Sequence, residues 1–206
     1  MIKLVLFDFD GVFTDGKIII SNDENIFKTY NAKDGMGIKL LKSNNIQVGM
    51  ISGYKENESQ RAIVEHLGLD HIIFGSISKK TDLEKLIQSL GIKLSEIAYM
   101  GDDINDIDIL KVVGLSGCPM DAHVDCVKVC NYISTKKGGD GCVREFCDRI
   151  IKYKSSNMFP IHHYKTNQVQ WEGRGHVVNS TVNLVNPEWG NSEFDQHMGN
   201  KYLKEI

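Results

Sequence analysis

The chain has 206 residues, of which 41% are hydrophobic and 25% charged, and a formal net charge of −3. This is an ordinary globular composition, long enough for one domain of roughly 150 residues, which buries close to 70% of its unfolded surface, plus an extension. It carries no basic footprint for nucleic acid and no apolar run long enough to span a bilayer, so an anionic ligand must meet locally placed cations.

Lys3–Phe9 predicts a buried strand ending in Asp8-Phe9-Asp10-Gly11. Its two Asp interrupt the apolar run at once and no small-residue cleavage site follows, so a cytoplasmic protein is expected. Lys17–Ser21 and Ile26–Asn31 predict a β-hairpin with the polar tip Asn22-Asp23-Glu24-Asn25, placed directly after that first turn. Ile38 and Leu41 line a helix before Asn44-Asn45, and Gln47–Ser52 predicts a second core strand. Ile63, Val64 and Leu67 mark a helix stopped by Gly68, before a strand at His71–Phe74. Leu83, Leu86, Ile87 and Leu90 repeat at i, i+3, i+4 and i+7, a one-faced helix, and Ile97–Met100 is again a strand. Strands alternating with helices predict a Rossmann-like α/β fold with a parallel sheet covered on both faces. After Lys154 the character changes: both Trp, two of three Pro and four of seven His fall in 155–206. The division expected is a core at 1–154 and an extension at 155–206 of unassigned role, docked on the core or a neighbouring subunit. Within it His176–Asn186 alternates like a strand and Lys201–Ile206 could form a helical turn. The five cysteines, separated by seven, three, eleven and four residues, lack paired zinc spacing and are expected to be buried, reduced thiols.

The chemistry concentrates at strand ends. Asp8 and Asp10 follow the first strand, and Asp102-Asp103 follow Ile97–Met100. In open α/β sheets ligands bind at that edge, so these carboxylates can converge in one crevice. Carboxylates gathered there repel one another unless a cation joins them, and hard oxygen ligands suit Mg²⁺. One such Asp alone would be read as a helix cap. Ser52-Gly53 offers a hydroxyl and an open backbone N–H to phosphate oxygens. Lys79 stands in a helix's first turn, where the dipole disfavours a cation, which points to another purpose.

In order and spacing, Asp8-Phe9-Asp10-Gly11-Val12-Phe13-Thr14-Asp15-Gly16, Ile51-Ser52-Gly53, Lys79 and Gly101-Asp102-Asp103-Ile104-Asn105-Asp106 closely resemble the four motifs of the haloacid dehalogenase superfamily. Tyr30–Ile38 and Lys137–Glu145 look like the branch of 3-deoxy-manno-octulosonate 8-phosphate and nonulosonate 9-phosphate phosphatases. The resemblance spans about residues 1–154. It implies a capless fold and hydrolysis of an acidic sugar phosphate. Mg²⁺ would be held by Asp8, Asp102 and the Asp10 carbonyl, with Asp8 as nucleophile and Asp10 as acid and base. It also implies phosphate contacts from Gly11, Ser52, Gly53 and Lys79, and supporting roles for Asp103 and Asp106. A homotetramer is implied too, in which the hairpin of residues 17–31 covers the neighbour's site.

Two positions depart from the branch. Tyr54 follows Ser52-Gly53 where Arg or Glu is expected, and Asp140 stands where many relatives carry Arg. A sugar carboxylate would then need another cation: Arg144, Arg61 or Arg174. For Arg144 a structural ion pair with its neighbour Glu145 is the competing reading. Two rival functions remain: a non-catalytic assembly module like those of sialic-acid-activating enzymes, and a sugar-phosphate phosphotransferase. Retention of Asp8, Asp10, Lys79 and Asp102 speaks against the first, and the missing cap domain against the second.

Overall fold

A computed structural model of the chain describes residues 1–156. Six parallel strands form the central sheet: β1 (Leu4–Phe7), β4 (Gln47–Ile51), β5 (His71–Ile73), β6 (Ile97–Met100), β7 (Leu115–Cys118) and β8 (Tyr132–Ile133). Their order is β5-β4-β1-β6-β7-β8, so the chain winds one way from β1, then returns to build the other half. The expected parallel α/β fold is the one observed. In β1 the alternation of side chains is complete. Val5 and Phe7 enter one core layer with Phe13, Ile38, Leu41 and Phe146, whereas Leu4 and Leu6 enter the other with Leu83, Ile97 and Tyr99. A strand buried on both faces reads as a continuous apolar run, which is why Leu4–Phe7 stood out in the sequence.

The helices begin and end where their caps dictate. α1 (Ala32–Ser43) starts on Asn31, whose side chain accepts the Lys33 N–H. α2 (Glu58–Leu67) starts on Asn57 and stops at Gly68, whose left-handed φ of 65° a β-carbon would disfavour. α3 (Lys79–Leu90) starts on Ser78, which accepts the Thr81 N–H, and is followed by α4 (Ile107–Leu110) and α5 (Val124–Val129). α6 (Cys142–Ser156) closes the described core against α1. Gly37 permits that approach, since a β-carbon there would come within 3.1 Å of Cys147 and 3.2 Å of the Arg144 Cα.

One expectation needs correction. The hairpin exists, but its strands are only β2 (Ile19–Ile20) and β3 (Ile26–Phe27). Ile19, Ile20 and Phe27 are exposed, so no core burial extends the ladder. β7 and β8 escaped the sequence reading because Leu115-Ser116-Gly117-Cys118 and a two-residue strand carry too little apolar pattern. All five cysteines are buried and free, as expected. Among the described residues no helix is long and apolar enough to cross a membrane. The readings made for residues 157–206, including the strand, the helical turn, Arg174 and the docking of the extension, lie outside the described residues.

Candidate active site

The sheet order reverses at β1, and a crevice opens at such a switch point beyond the strands' C-terminal ends. Register places the acids there. Phe7 is paired with Met100, and the Asp8 N–H donates to the Met100 carbonyl at 2.9 Å, so Asp8 and Asp102 emerge side by side from adjacent strands. Gly11 makes room for the meeting. With φ +86° it curls under Asp102, and a β-carbon would lie 2.0 Å from the Asp102 Oδ2. No other residue fits without displacing that carboxylate.

Lys79 reaches in from the first turn of α3. Its Nζ lies 2.7 Å from Asp8 Oδ1 and 2.7 Å from Asp106 Oδ1, with all three side chains nearly or fully buried. Burial opposes the ammonium, yet attraction to Asp8 and Asp106 holds its pKa above the usual lysine value. Asp106 is saturated. Oδ1 also accepts the Tyr99 hydroxyl at 2.6 Å, and Oδ2 accepts the N–H groups of Asp102 and Asp103. It therefore anchors both Lys79 and the loop bearing Asp102. Asp103 is exposed and caps the short 3-10 turn Ile104–Asp106.

The acids outnumber the cation. Burial, then repulsion from Asp106, pushes Asp8 up to about 6 despite Lys79. Burial, then repulsion from Asp8 and Asp106, pushes Asp102 up to about 8. Oxygens of Asp8, Asp102 and Asp106 lie within 4.8 Å of one another, close enough to share an ion. Asp102 Oδ1 is buried without a hydrogen-bond partner. A buried carboxylate oxygen with nothing to bind is costly, and a hard divalent cation is the partner this donor set suits.

Around this centre stand the remaining residues singled out in the sequence. Ser52 is buried, and its hydroxyl accepts the Tyr54 N–H at 3.1 Å. Gly53 is exposed beside Asn105, so the second and fourth motifs meet here. Asp10 accepts the Thr14 hydroxyl at 3.1 Å and both oxygens accept from Lys28 Nζ at 2.6 Å. Gly138 and Gly139 pack on the turn after β1, where a β-carbon on Gly138 would lie 2.0 Å from the Gly11 carbonyl. Arg144 requires a correction. Its Nε donates to both oxygens of Asp148 at 2.9 Å, not to Glu145, because residues four apart share a helix face and adjacent ones do not. Glu145 instead accepts from Ser134 and Thr135.

Sequence reasoning missed Lys28, Tyr99 and Asp34. Lys28 sits on a hairpin read as a flap, so its burial carried no signal. Tyr99 is the one hydroxyl in the buried run Ile97–Met100, which was a visible clue. Asp34, fully buried in α1, accepts the Arg144 N–H at 2.9 Å while its Oδ2 has no partner; burial pushes its carboxyl up to about 6.

Residues 12–146 match the family model described as haloacid dehalogenase-like hydrolase. The 3-deoxy-D-manno-octulosonate 8-phosphate phosphatase of Salmonella typhi is 35% identical over 150 residues, covering 73% of this chain and 79% of the relative. The chain belongs to the haloacid dehalogenase-like hydrolases. It falls in the capless branch of these phosphatases and is a phosphatase itself, which sets aside the assembly-module reading. The crystal structure of the Moraxella catarrhalis octulosonate phosphatase, in complex with magnesium, phosphate and the sugar, superposes with a TM-score of 0.71. Its sequence is 36% identical, with 73% of this chain and 86% of that one covered. The cobalt-bound Haemophilus influenzae enzyme gives a TM-score of 0.71 at 30% identity, covering 75% and 90%.

Proposed function

We propose that the protein hydrolyses the phosphate ester of an acidic eight- or nine-carbon sugar, with Mg²⁺ bound and Asp8 as nucleophile. The observation that carries this reading is the buried, partnerless Asp102 Oδ1 beside Asp8, with the Lys79 ammonium 2.7 Å from Asp8. Asp8, Asp102 and the Asp10 carbonyl would hold the ion. When bound, Mg²⁺ offsets the repulsion between a phosphate dianion and a carboxylate and polarises the phosphoryl group.

The chain's own residues supply the rest. Lys79 adds a fixed positive charge, and Ser52, Gly53 and the Gly11 turn bind the non-bridging phosphoryl oxygens. Asp8 attacks phosphorus in line: its Oδ–P bond forms as the P–O bond to the sugar breaks. Asp10 delivers a proton to the departing oxygen, and so must carry one at that moment. Water then attacks the aspartyl phosphate, Asp10 takes the water's proton, and phosphate leaves with Asp8 restored. Asp106 keeps Lys79 in place, and Asp103 shapes the loop. Arg144 is offered as a contact to the sugar carboxylate; that role requires it to exchange Asp148 for substrate. The exposed Ile18, Ile19, Ile20 and Phe27 of the hairpin fit a role in covering a neighbour's site within a homotetramer.

Phosphate release from octulosonate 8-phosphate, a nonulosonate 9-phosphate and glucose 6-phosphate, with and without Mg²⁺, tests the reading. The acidic sugars should turn over fastest and only with the metal. Equal or faster turnover of glucose 6-phosphate contradicts the substrate class. Transfer of phosphate to an added sugar rather than water would favour a phosphotransferase.

A further inference from the structure

The hairpin delivers a buried cation to the site. Lys28, one residue beyond β3, has a fully buried side chain, and its Nζ lies 2.6 Å from each oxygen of Asp10. The same ammonium stands 4.7 Å from the Tyr54 ring centre and 5.6 Å from that of Phe9. Its backbone N–H donates to Ser59 Oγ in α2 at 3.0 Å. One residue thus ties together the turn after β1, the Ser52-Gly53-Tyr54 loop and α2. A solvated flap needs no such anchor. A lysine is buried only where partners repay its desolvation, and here they are one carboxylate and two ring faces.

We propose that Lys28 is a positioning residue for the proton transfer made by Asp10, an inference that rests on the phosphatase reading above. Two contacts from Lys28 and one from Thr14 fix the rotation of the Asp10 carboxyl group, and Thr14 alone would leave it free to swing. General acid catalysis requires the donor oxygen within hydrogen-bond reach of the leaving oxygen, so lost alignment slows the steps that need that proton. Tyr54 gains a purpose as well. At the position where the family resemblance leads one to expect Arg or Glu, an aromatic face accepts the ammonium without competing for its charge.

A leaving-group comparison tests this. A sugar or other alkyl oxygen must be protonated as it departs, whereas p-nitrophenolate leaves as a stable anion. Lys28→Met should lower the ratio of kcat/KM for an alkyl phosphate to kcat/KM for p-nitrophenyl phosphate, which reports only the steps up to departure of the leaving group, by roughly tenfold or more, since a well-placed acid is worth about 10²–10⁴-fold. Lys28→Arg, which keeps two donors, should restore most of that ratio. In an Asp10→Asn background Lys28→Met should change the ratio by less than about threefold, because residues acting through one group are not additive. Thermal melting confirms that each variant folds, and Lys28→Gln stands in should the Met variant fail. Equal loss of kcat/KM on both substrates, or additive losses in the double variant, overturns the positioning role and leaves the phosphatase reading intact. A wild-type protein inactive on both substrates sinks the phosphatase reading and this inference with it.

Discussion

Asp8 and Asp10 stand two residues apart in one turn, yet their surroundings are opposite. Asp8 shares the Lys79 ammonium with Asp106 and lies beside Asp102, so three carboxylates meet one cation. Asp10 has an ammonium to itself, bound through both oxygens. The first arrangement leaves buried negative charge unmet, which is how a protein selects a divalent ion. The second matches one carboxyl group with one ammonium and braces it, which suits a group that must present one atom in one direction. A single turn therefore separates the carboxylate proposed as nucleophile from the one proposed as proton carrier.

The strongest way to break the comparison is Asp8→Asn. It removes the proposed nucleophile, and phosphate release should fall at least about 1,000-fold with the fold intact by circular dichroism. Asp106→Ala comes next. It strips a buried partner from Lys79, Tyr99 and two backbone N–H groups, so urea unfolding should show a loss of about 3–5 kcal/mol. Stability unchanged within about 1 kcal/mol would mean that Asp106 is not the anchor the geometry describes.

A smaller effect sharpens the contrast from outside the site. Asp34 is buried like Asp8, but the nearby Arg144 guanidinium pairs with Asp148 and only tempers the effect of burial, and the Asp34 carboxyl lies at about 6 against an ordinary 3.8. The folded state therefore holds this proton more tightly than the unfolded one. The resulting stability is present below about pH 4 and is lost as pH rises towards 6. Two units correspond to about 3 kcal/mol, so Asp34→Asn should gain up to that much relative to wild type between pH 4 and pH 7. Denaturant midpoints of both proteins across that range check the sign. Smallest of all is Arg144→Ala. Its i,i+4 pair with Asp148 is partly exposed and worth about 0.3–0.5 kcal/mol. A markedly raised KM for the acidic sugar, with little change in stability, would assign Arg144 to substrate.

What could be read in the chain follows from the same physics. The β1, β4 and β6 runs are apolar on both faces, so central strands were legible, and the Asp residues at their ends follow from the fold's geometry. β7 and its edge neighbour β8 were not, because Ser116 and Gly117 dilute the pattern in one and the other is only two residues long. Asp8, Asp102 and Lys79 were singled out by order and spacing, and they meet in the structure. Lys28 escaped because its burial depends on Phe9 and Tyr54, which arrive from distant segments. Local sequence carries no sign of that. Arg144 meets Asp148 and not the adjacent Glu145 for a plainer reason: the helical repeat, not adjacency in sequence, decides which side chains share a face.

Asp8 and Asp102 are proposed to hold together a divalent cation that the chemistry requires. Thermal unfolding of the metal-stripped protein, titrated with Mg²⁺ beside an Asp102→Asn variant, addresses it directly. A ligand at 100 times its Kd adds about 2.7 kcal/mol, so the wild-type midpoint should climb by several degrees and the variant's should not. A midpoint indifferent to Mg²⁺, with phosphate release persisting in a chelator, would contradict it.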